Sequence, residues 1–211
     1  MAISYPRDDL MSAVRLIVQA PGFRLQPLQE ISRLRNGEIR AKNFADPIWK
    51  ATFSTPEMTQ DDCVDFESIL NDLEDGLKTF QAYDERRPYP FRYQNGTFSD
   101  NGQISAISNN GRTVTFSGFQ PGFQLTRGDK FRLTSIVGTT LHEIKETISA
   151  NGSGATSAVE VQPNIPPAYQ GSNPVSFKKP YCLMVVEPGS ISYNPGASAL
   201  GTVTFSAVQY L

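Results

Sequence analysis

Apolar and polar residues alternate along most of the chain in the two-residue rhythm that predicts β-strands. Predicted strands in the first part lie at 13–19, 29–35, 38–42, 48–54 and 77–83, and strands return near the end at 181–186 and 202–211. In the strand at 48–54, Trp49, Ala51 and Phe53 share one face, which we expect to be buried. This part of the chain is therefore expected to form a sheet with one apolar side.

Two dipeptides predict turns between the first strands. Pro21-Gly22 is a turn signal that we expect to end the strand at 13–19. Asn36-Gly37 predicts a tight hairpin turn, because both residues tolerate a positive φ.

One amphipathic helix is predicted at about 60–75, with Thr59 as its N-cap. Its buried side would consist of residues that recur at three- and four-residue spacing, Phe66, Ile69, Leu70 and Leu73. Gly76 suits the left-handed position just after the helix.

In the middle of the chain the predicted strands become shorter, and the turns between them are rich in Gly and Asn. Five strands are predicted, at 103–107, 113–116, 130–137, 141–147 and 158–161, with a turn at Gly138-Thr139. Short strands at even spacing are typical of a small barrel or sandwich. We therefore expect a split β domain, 1–92 plus 176–211, interrupted by an inserted small β-barrel domain at 93–175.

The composition and net charge exclude few classes of function, and they favour no particular catalytic reaction. The net charge of -2 gives no basic footprint for sequence-independent nucleic-acid binding. The one group of cations, Arg33, Arg35, Arg40 and Lys42, is interpreted as a solvated hairpin, with a binding patch as the alternative. No stretch is long enough to span a membrane, and the first residues do not have the pattern of a signal peptide.

Candidate nucleophiles and metal ligands are sparse. The lone histidine, His142, is expected to be a hydrogen-bonded or surface residue. Cys63 and Cys182 are interpreted as buried free thiols, with a disulfide as the alternative, and a Cys–His pair with His142 is disfavoured. The glycine-rich stretch at 151–157 lacks the Gly-Lys-Ser/Thr of a phosphate-binding loop.

Carboxylates are plentiful but do not face each other across a predicted cleft. Seven of the 21 lie at the two ends of the helix, namely Asp61, Asp62, Asp65, Glu67, Asp72, Glu74 and Asp75. A solvated helix face is favoured over a hydrolase site, and the 84–87 run (DERR) is read as a charged loop. We predict no catalytic, cofactor-binding or metal-binding residues, no cofactor and no enzymatic activity; a wall hydrolase is the weaker alternative.

Aromatic residues cluster at the border of the insertion and inside it: Tyr89, Phe91, Tyr93, Phe98, Phe116, Phe119 and Phe123. Exposed on a barrel face, such rings could stack on sugars or bases. Core packing explains them without a ligand and is the favoured interpretation.

Four stretches, taken in order, resemble a known family. They are WKATFSTPEM at 49–58 leading into the capped helix, LEDGLKTF at 73–80, LTRGDKFRL at 125–133 with LHEI at 141–144, and GTVTFSAVQYL at 201–211. This order resembles the distal tail proteins of long, non-contractile-tailed bacteriophages. Among these it is similar to the subgroup whose inserted domain is an oligosaccharide/oligonucleotide-binding (OB) type barrel.

The resemblance implies a structural virion protein of the tail tip or baseplate. Six copies would form a ring that joins the tail tube protein to the tail hub and tape-measure complex, and the insertion would project outward toward side fibres, a collar or host glycan. The alternative function is a carbohydrate- or partner-binding β module at the tail tip. The family offers no catalytic residues to transfer. The chain would be made in the bacterial host cytoplasm, and it would neither read a nucleic-acid sequence nor insert into a membrane.

Overall fold

The fold is mainly β, as the hydrophobic pattern predicts, with 46% strand and 13% helix. It was obtained as a computed structural model and is described for residues 4–13, 16–169, 171–196 and 199–210. The predicted first strand falls partly outside these residues, at positions 14 and 15.

The strands form two sheets, and their bounds follow in chain order. The first part contains β1 (Ile17–Arg33), β2 (Ile39–Ser54), β3 (Met58–Thr59) and β4 (Phe80–Tyr83). The middle contains β5 (Gln103–Ile107), β6 (Thr113–Ser117), β7 (Gln124–Leu125), β8 (Lys130–Ser135), β9 (Gly138–Ile144), β10 (Ile148–Ser149), β11 (Val159–Gln162) and β12 (Val175–Ser176). The last part contains β13 (Tyr181–Val186), β14 (Ser192–Pro195) and β15 (Leu200–Gln209).

The helical segments are short. They are α1 (Leu10–Ala13) and α2 (Gln60–Asn71), with 3-10 helices at Glu74–Gly76, Phe91–Tyr93 and Pro167–Tyr169. Together α2 and the 3-10 turn after it span 17 residues, 60–76, close to the helix predicted at about 60–75.

The predicted start of this helix is confirmed. Thr59 caps α2, because its hydroxyl oxygen accepts a hydrogen bond from the backbone N–H of Asp62. The predicted end is wrong, because α2 ends at Asn71 with Asp72 as its C-cap, and the positive φ values begin at Glu74, before Gly76 with φ +97. Phe66, Leu70 and Leu73 are buried.

The first sheet is built around the C-terminal strand. Its order is β1-β2-β15-β13-β4, and β3 and β14 also pair with β15. The predicted buried face of β2 is confirmed, since Trp49, Ala51 and Phe53 are at most 1% exposed. Phe53 packs on Phe205 of β15 with ring centroids 5.3 Å apart.

Three predicted details of this first sheet are wrong. The strand predicted at 77–83 begins only at Phe80, because Leu77 ends the 3-10 helix and is 78% exposed. Pro21-Gly22 does not end β1, because a register shift between Gln19 and Arg24 absorbs the extra residues as a bulge.

The third wrong detail is the turn at the tip of the β1–β2 hairpin. Its five residues include a hydrogen bond from the Gly37 N–H to the Leu34 carbonyl oxygen. Gly37 has φ +85, whereas Asn36 does not have a positive φ. The hairpin itself is confirmed, but its turn is wider than the two-residue type that the dipeptide predicts.

Beyond the sheet, β1 and β2 continue as a two-stranded ribbon. All residues from 29 to 46, which we call the ribbon, are exposed. At a rise of about 3.3 Å per residue the ribbon projects about 25 Å from the sheet.

The second sheet contains six strands in the order β12-β8-β9-β11-β6-β5 and is nearly closed, as a barrel. Backbone hydrogen bonds close it between the ends of the sheet, from Ile104 to Asn173 and from Val175 to Gly102. Strands β7 and β10 pair separately. The turn predicted at Gly138-Thr139 lies instead at Ile136-Val137, so β9 begins earlier than predicted.

As the sequence pattern predicts, the strands of the second sheet lie in one continuous stretch of the chain, between two stretches that form the first sheet. The strands of the barrel lie between Gln103 and Ser176, and those of the first sheet lie before and after them. The domain boundaries at 92 and 176 stay a prediction.

A buried charge pair joins the two sheets. Lys130 Nζ of β8 lies 3.1 Å from Asp84 Oδ2, which follows β4, and the two side chains are only 7% and 2% exposed. The Lys130 ammonium also lies 5.6 Å from the centre of the Trp49 ring. Trp49 in turn donates a hydrogen bond of 2.8 Å from Nε1 to the Leu141 carbonyl oxygen of β9.

Electrostatics holds Asp84 in its charged form. Burial acts to raise the pKa of Asp84, but hydrogen bonds from Arg86 and the charge of Lys130 outweigh it, so that the pKa is lowered.

Replacing Lys130 by Met should lower the free energy of unfolding by about 2–4 kcal/mol, because it leaves the buried Asp84 with Arg86 as its remaining cation. The matched control is Lys145→Met, which breaks a pair whose side chains are 39% and 44% exposed and should therefore cost much less stability than Lys130→Met. Urea unfolding measures both. Equal losses would contradict a structural role for the buried pair.

Candidate functional site

His142 is not available as a base or a metal ligand in this fold. It is fully buried, and its Nδ1 lies 2.9 Å from the carbonyl oxygen of Pro163 while its Nε2 lies 2.8 Å from Thr140 Oγ1. Because a carbonyl oxygen only accepts, Nδ1 carries the proton and Nε2 accepts from the Thr140 hydroxyl. The ring also stacks on Phe131. The prediction of a hydrogen-bonded histidine is confirmed.

The two cysteines are buried and free, as expected. Burial is the main cause that raises the pKa of both thiols, and the charges of Glu67 and Asp62 raise that of Cys63 further. Neither thiol is therefore poised as a thiolate nucleophile. Within the described residues, no group of three or more His, Cys, Asp or Glu side chains could hold a metal ion.

The aromatic residues at the border of the insertion mostly pack inward. Phe116, Phe119 and Phe123 belong to the barrel core, with Tyr93 and Phe98 packed against it. Phe91 alone of the seven is exposed, at 48%. Core packing, the favoured interpretation, is confirmed for these five residues, of which Tyr93 and Phe98 are half-buried.

A polar cavity lies where the two sheets meet. It has a volume of about 290 Å³ and is lined by Tyr83, Tyr181, Arg132, Lys178 and Lys179 among others. The Arg132 guanidinium lies 4.4 Å from the centre of the Tyr181 ring, and Lys179 Nζ lies 5.5 Å from that of Tyr83. These contacts satisfy the cations in part, and Asp8, which also lines the cavity, supplies an opposite charge. The cavity contains cations but none of the cysteines, nor His142.

The most unusual surface is the ribbon, because apolar side chains on it face solvent. Register pairs Ile31 with Ala41 and Arg33 with Ile39, so these four residues share one face. Ile31 is 59% exposed and Ile39 is 60% exposed. Phe44, at the register shift between Asn43 and Ala45, is 64% exposed.

The ribbon cations predicted to be solvated are indeed exposed. Arg40 pairs with Glu38 at 3.2 Å, and these two side chains are 69% and 49% exposed. Among the described residues, Arg33, Arg35 and Lys42 make no ion pair within 4.0 Å. Among the described residues, the ribbon therefore combines exposed aliphatic groups with positive charges that have no acidic partner within 4.0 Å. The sequence predicted the hairpin, but it did not predict that the hairpin extends beyond the sheet. That extension depends on which residues of β1 and β2 the other strands leave uncovered.

No protein-family model matches this chain, and no curated protein matches it. Neither α-helix in the described residues is long and apolar enough to cross a membrane.

Acid should destabilise the fold through His142. Burial lowers its pKa to about 4, whereas the unfolded chain has a pKa near 6.5, so the unfolded state takes up the proton first. Stability is then lost as the pH falls below about 6.5, by about 2 kcal/mol between pH 6.5 and pH 5. Urea unfolding of the wild type and of His142→Gln over this interval measures the effect. The free energy of unfolding of the variant should fall much less over this interval. An equal fall in both proteins would contradict the assignment of the acid sensitivity to His142.

Proposed function

We propose that this chain is a structural protein of a bacteriophage tail tip that acts through assembly and not through catalysis. The tail-tip role comes from the resemblance of the sequence to distal tail proteins, and the observation that supports assembly is the ribbon, which extends about 25 Å from the sheet with Ile31 and Ile39 exposed. A two-stranded ribbon in water is at best marginally stable by itself. Exposed aliphatic groups on such a ribbon are better explained by a partner that covers them than by solvent.

The proposed assembly is a ring of six copies, which joins the tail tube protein to the hub and tape-measure complex. The number of copies and these partners come from the resemblance of the sequence to distal tail proteins. The mainly β fold, with one capped helix and a nearly closed barrel between two parts of the first sheet, is compatible with that family. The barrel would project from the ring, toward side fibres or a host glycan.

The absence of a chemical function is part of the proposal. Support comes from the use of both ring nitrogens of His142 in hydrogen bonds and from the burial of both thiols. A sugar-binding barrel, the alternative function, has less support, because five of the seven aromatic residues that motivated it pack in or against the barrel core.

Immunogold electron microscopy of tailed particles from the source tests the role, with antibody raised against the recombinant chain. We expect gold only at the end of the tail away from the head, and quantitative mass spectrometry of the same particles should give about six copies per tail. Labelling along the tube, or none on intact particles, would assign the chain to another component or outside the virion.

A further inference from the structure

A second surface complements the ribbon in charge. The segment at 57–75, which contains α2, has eight acidic residues and no basic one: Glu57, Asp61, Asp62, Asp65, Glu67, Asp72, Glu74 and Asp75. Two of these are paired within the chain, Asp72 with Arg7 and Glu74 with Lys78. The distal ribbon, residues 31–43, has four basic residues and one acidic residue.

The acidic surface also contains an apolar recess. Val64 of α2 is 63% exposed, and it lines a cavity of about 300 Å³ together with Tyr193 of β14 and Glu67. The Tyr193 ring lies against Gly201, where a Cβ atom would come within 2.5 Å of it, so the ring is held by close packing on β15. We call Asp61, Val64, Glu67 and Tyr193 the acidic patch.

Register places the ribbon and the acidic patch at opposite ends of the first sheet. Lys50, near the base of the ribbon, pairs with Val208, whereas Met58, just before α2, pairs with Gly201 at the other end of β15. Seven residues of extended strand separate these two points by about 23 Å, and the ribbon points away from the patch. The ribbon of one chain therefore cannot reach the acidic patch of the same chain.

We infer that the distal ribbon of one copy docks on the acidic patch of the next copy. Ile31 and Ile39 would enter the recess beside Val64 and Tyr193, while Arg33 on the same ribbon face meets Asp61 and Glu67. The contact joins two different surfaces head to tail, which is the geometry that closes into a ring when the rotation between copies permits it. Interfaces of this kind combine an apolar centre with complementary charges around it.

This inference rests on the proposed assembly and names the surfaces that make it. Another protein with an acidic groove could also receive the ribbon. A second copy is favoured because both surfaces belong to this chain, have opposite charge and lie at opposite ends of the first sheet.

Charge reversal and its rescue test the contact in tailed particles, with the chain supplied in trans to a phage that lacks it. The ribbon variant is Arg33→Glu with Arg35→Glu, and the patch variant is Asp61→Lys with Glu67→Lys. Each should reduce the copies of the chain per particle at least about tenfold, because like charges then face each other in the contact. The combined variant, which restores opposite charges, should recover to within about threefold of the wild type.

The matched control is Arg92→Glu with Arg127→Glu, which reverses two exposed charges on the barrel side and should leave incorporation unchanged. Far-UV circular dichroism of each purified variant verifies folding. The docking would be overturned if the combined variant gave as few copies per particle as the ribbon variant or the patch variant. It would also be overturned if those two variants were incorporated normally. Either result would leave the tail-tip role intact. Absence of the wild-type chain from particles would overturn the proposed function and the docking together.

Discussion

The register of β15 is the constraint on which the rest of this fold depends. This strand pairs with β2, β3, β13 and β14, and so it joins chain segments on both sides of the barrel. Its pairing with β2 fixes where the ribbon leaves the sheet, and its pairing with β3 fixes where α2 begins. A slip of one residue would turn Phe205 and Ala207 out of the core. The distance between the two proposed contact surfaces is therefore set by one strand.

The barrel is attached to this sheet by polar groups that water does not reach. Lys130 contacts both Asp84 and the Trp49 ring, and the Trp49 indole binds the backbone of β9. A buried pair of this kind adds little net stability over an apolar contact, but it is costly when one partner is missing. These contacts join β4 and the Trp49 strand to β8 and β9 of the barrel. For an assembling subunit, these contacts matter because any partner of the barrel is positioned relative to the sheet.

Sequence patterns that act over a few residues predicted much of the fold, but they did not predict which apolar residues are exposed. The capped helix at Thr59, the buried face of β2 and the hairpin at Gly37 follow from periodicity, capping and turn chemistry, which act over a few residues. The bulge after Gln19 was missed because the pairing of β1 with β2 continues past the local turn signal at Pro21-Gly22. The late start of β4 was missed because a 3-10 helix extends the helical region to Leu77. The exposure of Ile31 and Ile39 was also missed, since an apolar residue in a strand gives no sign of whether another strand covers it.

Hydrogen–deuterium exchange tests the central claim that the ribbon is a contact surface. The ribbon amides at 29–46 should exchange quickly in the isolated chain, because the two strands have no cover on either face. In purified tailed particles the same amides should be protected, whereas those of β8 and β9 in the barrel should exchange alike in both samples. Equally fast exchange of the ribbon in the isolated chain and in particles would contradict the account.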